Sequence, residues 1–217
     1  QLMEQIESAN RALEQFAYVV SHDLKAPLRG INNLSHWIME DVRGTASIKT
    51  QQNLEKIQSR IRKMVAMIDG ILQYSQVEQG LHKQVEVIDV GQLLDETLDF
   101  LTLPDDVCVK IMPGMPVLEA NPIKLGQVFS NLVGNAIKYR NPDSCCIEIN
   151  WKKKDLFYEF SISDNGPGIA PEYQDKIFGI FQTLGLSPES TGIGLAIVKR
   201  IIEAQGGSIT VESVEGE

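Results

Sequence analysis

His22, followed directly by Asp23, is the first pair in this chain whose side chains go beyond packing. An imidazole can act as nucleophile or base near neutral pH, and an adjacent carboxylate can accept its N–H and fix the tautomer. Four later segments carry further chemistry. In Asn131-Leu132-Val133-Gly134-Asn135-Ala136-Ile137-Lys138-Tyr139, two amides four residues apart share a helix face, with a lysine one step beyond. Amide oxygens suit a hard cation such as Mg2+, and a lysine suits phosphate. Asp164-Asn165-Gly166-Pro167-Gly168-Ile169 follows a strand-like run. Its glycines let backbone approach a ligand, and its aspartate can accept from an exocyclic amine such as that of adenine. Ile177-Phe178-Gly179-Ile180-Phe181 precedes a polar stretch, Gln182 to Thr191, of the kind that forms a lid. Thr191-Gly192-Ile193-Gly194-Leu195 then enters a helix, where unpaired N–H groups at the positive dipole end suit phosphate.

Each segment also has a plainer reading on its own. His22 reads as a solvated surface histidine, and the asparagine segment as the polar face of an amphipathic helix. Asp164 to Gly168 reads as a strand-ending turn, and the phenylalanine segment as a surface loop with two core aromatics. The last segment is not a Walker loop, and Ile197 prevents it from completing G-x-G-x-x-G.

The elements that must hold these residues follow from periodicity. Apolar residues at Leu2, Ile6, Ala9, Leu13, Phe16, Val20, Leu24, Leu28, Ile31 and Ile38 predict one long helix to about residue 40. The spacing from Leu2 to Val20 predicts a coiled-coil seam, with a stutter at Leu24. His22 lies about 200° around from Val20, away from that stripe. Pro27 is expected to kink the helix beyond it. Gly44-Thr45-Ala46-Ser47 marks a turn into a second helix, patterned by Leu54, Ile57, Ile61, Met64, Ile68 and Ile71 and ended by Gly80. One hairpin cannot close a core around both stripes, so a dimeric four-helix bundle is expected.

Beyond a boundary near Gly80 to Lys83 the pattern turns mixed. Strands are expected at Val85–Ile88, Val107–Ile111, Val117–Glu119, Ile147–Trp151, Leu156–Ile162 and Ser208–Ser213. Helices are expected at Val90–Leu101, from Asn121-Pro122 to about Tyr139, and from Gly194 to about Gln205. Lys152-Lys153-Lys154-Asp155 reads as a solvated hairpin tip. The fold class is thus α+β, a helical hairpin followed by a mixed second domain.

Bulk properties narrow the function. The 217 residues are 43% hydrophobic and 23% charged, as in ordinary globular proteins. A net charge of -9 argues against nucleic-acid and anionic-membrane binding while leaving room for a local anion pocket. No run of about 18 apolar residues or secretory signal occurs. Cys108, Cys145 and Cys146 show neither zinc spacing nor a disulfide framework, which fits reduced thiols in a cytoplasmic protein. The chain opens inside a helical repeat, so an upstream part is expected to continue the first helix.

Together and in this order, the segments resemble the catalytic core of sensor histidine kinases of two-component systems. Ser21-His22-Asp23-Leu24-Lys25-Ala26-Pro27-Leu28 is similar to the phosphoacceptor box, Asn131 to Tyr139 to the N box, and Asp164 to Ile169 to the first glycine box. Phe178 to Phe181 is similar to the F box and Thr191 to Leu195 to the second glycine box. His-Asp-Leu-x-x-Pro-Leu-Arg and Tyr139-Arg140-Asn141-Pro142-Asp143 are closest to phytochrome-like and related cyanobacterial kinases.

The resemblance implies a dimerisation and phosphotransfer domain over residues 1–80 and a Bergerat-type (GHKL) ATP-binding α/β sandwich over residues 84–217. It implies ATP with Mg2+ and a cytoplasmic, bacterial setting, with a membrane-anchored parent left open. His22 would attack the γ-phosphate, assisted by Asp23. Asn135 and Asn131 would hold Mg2+, Lys138 would sit near the phosphates and Tyr139 beside the nucleotide. Asp164 would accept from adenine, and Gly166, Gly168 and Phe181 would shape the pocket. Thr191, Gly192, Gly194 and Leu195 would donate backbone N–H groups. Implied partners are a second copy, a response-regulator receiver domain docking below His22, and an upstream sensory domain, with no direct membrane contact in this stretch. Two departures from the pattern stand out. Ala26 occupies the position, four after the histidine, where many members carry a water-orienting Thr or Asn. Members also usually continue past Ser213 into another strand, so a missing final strand is expected. The alternatives are an ATPase of the same nucleotide fold, as in type II topoisomerases and heat-shock chaperones, and a degenerate scaffold.

Overall fold

The structure, a computed structural model, describes residues 2–77, 85–141, 145–185 and 190–216, with side chains from residue 17 onward. The expected boundary at Gly80 to Lys83 lies outside the described residues, as do most side chains of the expected coiled-coil seam. Two long helices come first, α1 (Leu2–Asp41) and α2 (Ile48–Ser75). Ser47 caps α2 by accepting from the Thr50 N–H. α2 ends at Ser75, five residues before the expected stop, so Gly80 is not its terminator. α1 continues as helix through Pro27.

The apolar stripes split into two heptad rows. One row packs inside the hairpin: Leu54, Ile61 and Ile68 of α2, with Ser21, Leu28 and Ser35 of α1. The other row, Leu24, Ile31 and Ile38 on α1 and Ile57, Met64 and Ile71 on α2, stays exposed. The expectation of one buried stripe through Val20, Leu24, Leu28 and Ile31 is therefore corrected. On α1 the buried line keeps Leu28 of that stripe and otherwise runs through two serines, Ser21 and Ser35, and Ser35 satisfies its hydroxyl by donating to the Asn32 carbonyl at 3.2 Å.

The second half holds β1 (Glu86–Asp89), α3 (Val90–Leu101), β2 (Val107–Ile111), β3 (Val117–Ala120) and α4 (Pro122–Lys138). These are followed by β4 (Cys145–Lys154), β5 (Phe157–Asp164), the short α5 (Pro171–Gln174) and α6 (Gly194–Ala204). β1 and β3 pair antiparallel, while β4 is the centre of a three-stranded sheet, parallel to β2 and antiparallel to β5. Asp89 caps α3 through the Gly91 and Gln92 N–H groups, and Asn121 caps α4 through the Lys124 N–H. Helices α3 and α4 cover one face of the larger sheet. Between them lie Val90, Leu94, Phe129, Val133, Ala136, Cys145, Ile147 and Ile149, with Phe129 edge-on to Phe160 at 5.6 Å.

Two expectations are corrected, and one element is new. Residues 208–213 form no strand: half-buried and exposed residues alternate there, but the segment joins no ladder, and Ser213 instead accepts from the Ile169 N–H in the loop after β5 and from Gln174 Nε2 of α5. Lys152, Lys153 and Lys154 belong to β4 rather than to the turn, which is made by Asp155 and Leu156. Glu159 on β5 pairs with Lys152 at 2.8 Å, which explains why lysines can extend the strand. α5 was not anticipated; its four residues are too few to leave a period.

A second apolar cluster joins the two halves. Val77, with Met67 and Tyr74 packed nearby, meets Val128 of α4 and Ile193, Ile197, Val198 and Ile201 at α6. Gly70 makes this approach possible, because a Cβ there would lie 2.7 Å from Ile193 Cδ1. The Arg200 guanidinium stacks 4.5 Å from the Tyr74 ring centroid.

Leu94 is fully buried in the sheet core. Leu94→Ala is expected to destabilise the α/β part by about 2–5 kcal/mol. Urea unfolding followed by circular dichroism checks this, and an unchanged midpoint would show that the site repacks freely.

Candidate functional site

Helix α4 is apolar on two sides, toward the sheet through Phe129, Val133 and Ala136 and toward α6 through Val128 and Leu132. Its remaining face carries Asn131, Asn135 and Lys138. Asn131 is held in place, since its Nδ2 donates to the Gln127 carbonyl at 2.8 Å. Its Oδ1 is turned toward Gly194, where a Cβ would come within 2.7 Å of it. Tyr139 caps α4, with the Lys138 ammonium 5.7 Å from its ring centroid.

The loop after β5 lies beside the end of this helix. Asp164 accepts from the Gly166 N–H at 2.9 Å, bending the chain back on itself, and a Cβ on Gly166 would be 3.5 Å from the Tyr139 carbonyl. Asn165 fixes the loop to the sheet, accepting from the Cys146 N–H at 2.8 Å through its side chain and from Asn141 Nδ2 at 2.8 Å through its carbonyl. Gly168 has φ +71°, and a Cβ there would meet the Val214 carbonyl oxygen. The tail thus closes over the glycine loop. Ser213 Oγ accepts from the Ile169 N–H at 2.9 Å, and Gly216 N–H donates to the Pro167 carbonyl at 2.8 Å.

The third component is the entry to α6. Phe181, with φ +64°, donates its N–H to the Gly192 carbonyl at 2.8 Å. Gly192 has φ +69°, and a Cβ would collide at 2.5 to 2.7 Å with the backbone of Phe181 and Gln182. Ser190 is buried, and its hydroxyl shares a 2.5 Å hydrogen bond with the Tyr139 hydroxyl. Ile193 is the N-cap of α6 and makes no side-chain cap bond, so the N–H groups of Gly194 to Ala196 lack that partner, while Ile197 N–H donates to the Ile193 carbonyl at 2.9 Å. The polar stretch read as a lid lies partly outside the described residues.

The structure therefore brings Asn131, Asn135, Lys138, Tyr139, Asp164, Gly166, Gly168, Phe181, Thr191, Gly192, Gly194 and Leu195 onto three adjoining segments. Asn165, Ser190, Gln174 and Ser213 tie those segments together and were not singled out from sequence; only Asn165 lies inside a motif. Nearby, the Arg140 guanidinium bonds Asp106 at 2.8 Å and holds that carboxyl below its usual range. The pair clips the end of α4 to the start of β2. A separate cleft of about 640 Å³ opens between Tyr74, Phe178 to Ile180 and the Lys199–Glu203 side of α6, and none of the nucleotide candidates lines it.

His22 and Asp23 stand apart from this cluster. Their side chains are 71% and 72% exposed, and His22 Nδ1 lies 3.2 Å from Asp23 Oδ1. One turn further along, Lys25 pairs with Asp69 of α2, tying the two helices beside the histidine.

Residues 12–80 match the His Kinase A (phospho-acceptor) domain, and residues 120–217 the histidine kinase-, DNA gyrase B- and HSP90-like ATPase family. Cyanobacterial phytochrome B of Nostoc sp. is 36% identical over 100% of this chain and 30% of its own length. The methanogenesis regulatory histidine kinase FilI of Methanothrix harundinacea is 31% identical over 98% of the chain and 24% of its own length. The chain thus spans less than a third of these relatives. Among solved structures, full-length ShkA in complex with AMPPNP aligns over 94% of this chain and 43% of its own, at 20% identity and a TM-score of 0.67. Acinetobacter baumannii histidine kinase AdeS aligns over 90% of this chain and 92% of its own, at 23% identity and a TM-score of 0.61. At these identities the two structures support the fold. The phospho-acceptor match holds His22, the ATPase match holds all three glycine- and asparagine-bearing segments, and the chain belongs to the sensor histidine kinases, carrying their catalytic core.

Proposed function

We propose that this chain uses ATP to phosphorylate its own His22 and passes the phosphoryl group to an aspartate of a response-regulator receiver domain. The observation that carries this reading is the convergence of Asn131 with Gly194, Tyr139 with Ser190, and Phe181 with Gly192 at one place, in a chain that also holds a solvent-facing His–Asp pair. The working division is residues 1–80 for dimerisation and phosphotransfer and residues 84–217 for ATP binding, in a cytoplasmic setting. An ATPase or scaffold reading is disfavoured by the phospho-acceptor match.

The residues present fit a nucleotide. Gly192 and Gly194 stand where a side chain would collide with neighbouring backbone or with Asn131, which leaves backbone N–H groups as the surface offered to phosphates. Asp164 is the acceptor for the adenine amine, with Gly166, Gly168 and Phe181 shaping the base pocket and Thr191 and Leu195 completing the phosphate turn. Asn135 and Asn131 supply amide oxygens for Mg2+, and Lys138 supplies a cation near the phosphates. Among the described residues no group of three His, Cys, Asp or Glu side chains is placed to hold a metal. That suits an ion coordinated by amides, water and phosphate. When bound, Mg2+ offsets the negative charge that builds on the phosphates.

Asp23 accepts from Nδ1–H of His22, which leaves the Nε2 lone pair free to attack the γ-phosphorus in line. An N–P bond forms as the bond to the ADP oxygen breaks. The protein's share is positioning and electrostatics. The exposed heptad rows on α1 and α2 form the seam for a second copy, closing a four-helix bundle. The receiver domain docks on the hairpin below His22.

With γ-labelled ATP and Mg2+, the chain is expected to acquire acid-labile, alkali-stable label. His22→Ala should abolish it, and Asn135→Ala should lower it about 100-fold or more, the scale of several kcal/mol of lost charge neutralisation. Label surviving in His22→Ala, or ATP hydrolysis without label, would sink the assignment.

Sedimentation equilibrium should give twice the 24.1 kDa chain mass, and Ile31→Glu with Ile38→Glu should return the monomer. A monomeric wild type refutes the bundle.

The methyl of Ala26 cannot orient water, so removal of phosphate from a phosphorylated regulator should be slow without ADP. Rapid dephosphorylation by the purified chain would contradict this.

A further inference from the structure

The face of the larger sheet turned away from α3 and α4 holds a thiol pair that the proposed kinase chemistry does not use. β2 and β4 run parallel, and Cys108 is the register partner of Cys146. Val107, Val109 and Ile111, with Cys145, Ile147 and Ile149, point into the core. Cys108 and Cys146 therefore share the opposite face, where Cys108 is exposed and Cys146 half-buried. Neighbouring strands lie about 4.7–4.9 Å apart, within the Cα separation of about 4.4–6.8 Å that a disulfide spans.

Lys110 and Glu148 are the next register pair on this face, and their side chains bond at 3.1 Å. The Lys110 ammonium is held above its usual range, first by the hydrogen bond to Glu148 and also by the nearby Cys146. A cation held by Glu148 thus stands one register pair from the two sulfurs. Cys145 is different: it is 2% exposed, points into the core, and burial pushes its thiol up.

We infer that Cys108 and Cys146 form a redox-active pair, oxidised by hydrogen peroxide to a reversible disulfide between β2 and β4. The Cys146 thiolate, beside Lys110, attacks one peroxide oxygen. An S–O bond forms, the O–O bond breaks, and hydroxide leaves to be protonated to water. The Cys108 thiolate then attacks the sulfenic sulfur, forming S–S and releasing a second water. Two thiols lose two electrons in all, and the peroxide gains them. The disulfide is opened again by thiol–disulfide exchange with a thiol reductant. It closes a loop that contains β3 and α4, the helix bearing Asn131 and Asn135. Oxidation would therefore act on the frame of the candidate nucleotide site without touching it. The inference is independent of the proposed kinase activity, since its readout is thiol chemistry alone.

The full chain, fully reduced, is exposed to a few equivalents of hydrogen peroxide and examined by thiol titration, intact mass and peptide mapping. The expected result is a fall from three thiols to one per chain, a mass loss of two hydrogens, and a single peptide linking Cys108 to Cys146. Dithiothreitol should restore all three thiols. Cys108→Ser, a change at an exposed position, should reduce the intrachain disulfide to background and allow dimedone to trap Cys146. Retention of three thiols, a Cys145–Cys146 link, a link between chains, or over-oxidation without a disulfide would each overturn the inference.

Discussion

Helix α4 is gripped from two sides, and the rest of the candidate site depends on that constraint. Phe129, Val133 and Ala136 fix it to the sheet, while Val128 and Leu132 fix it to α6. A helix packed on two faces has no freedom to rotate, because rotation would expose one apolar row or bury Asn131 and Asn135. The polar face is thus aimed by apolar contacts on the other two. Arg140, bonded to Asp106 and to the Ile137 carbonyl, prevents the last turn from fraying. The Tyr139–Ser190 hydrogen bond then carries the registration of α4 across to the entry of α6.

The glycines serve this arrangement by what they lack. Gly192 has left-handed backbone and no room for a Cβ, so the chain can fold back on Phe181 and Gln182 and place Thr191 to Leu195 against Asn131. Phe181 accepts a left-handed conformation of its own, which costs energy in a residue with a Cβ and is held by one backbone hydrogen bond to Gly192. Strain in the F segment and absence of a side chain in the glycine segment are two halves of one contact. Gly70 does similar work at a larger scale, letting α2 approach Ile193 and hence the same turn.

What was legible in the sequence follows from which forces are local. Val90–Leu101 was read to its exact ends because Asp89 caps it and its leucines face one core. α4 was legible at its start because Asn121-Pro122 is cap chemistry. The motif residues stood out in the sequence because their types are costly to place anywhere else. Apart from α5, which is too short to leave a period, the clearest failures are non-local. Residues 208–213 carry a strand's alternation, but a ladder needs a neighbour, and Ser213 instead binds the loop at Ile169 and Gln174. The lysines looked like a turn because nothing local showed Glu159 opposite Lys152. Of the expected stripe on α1, Leu28 lies on the buried row, while Ser21 and Ser35 fill its other places, and inward serines do not register as apolar.

The split of the hairpin into inner and outer heptad rows bears on how the two halves of the molecule relate. The inner row, with Lys25–Asp69, holds α1 against α2, while the lower end of α2 is fused to α6 through Val77, Ile193 and the Arg200–Tyr74 stack. His22 is on α1, largely exposed, and the segments gathered around α4 are packed against the other helix. A histidine that is 71% exposed is not in contact with the glycine segments. In the proposed reaction its Nε2 and the phosphate turn must meet in a different arrangement, either within one chain or between two. Within one chain, the contact that gives way is the α2–α6 cluster, whose members on the hairpin side are few: Gly70, Tyr74, Val77 and Met67. The core around α4 is larger and is shared with the sheet, so in that reaction the α/β part would move as one body while the helix pair it leaves would stay zipped by its inner row.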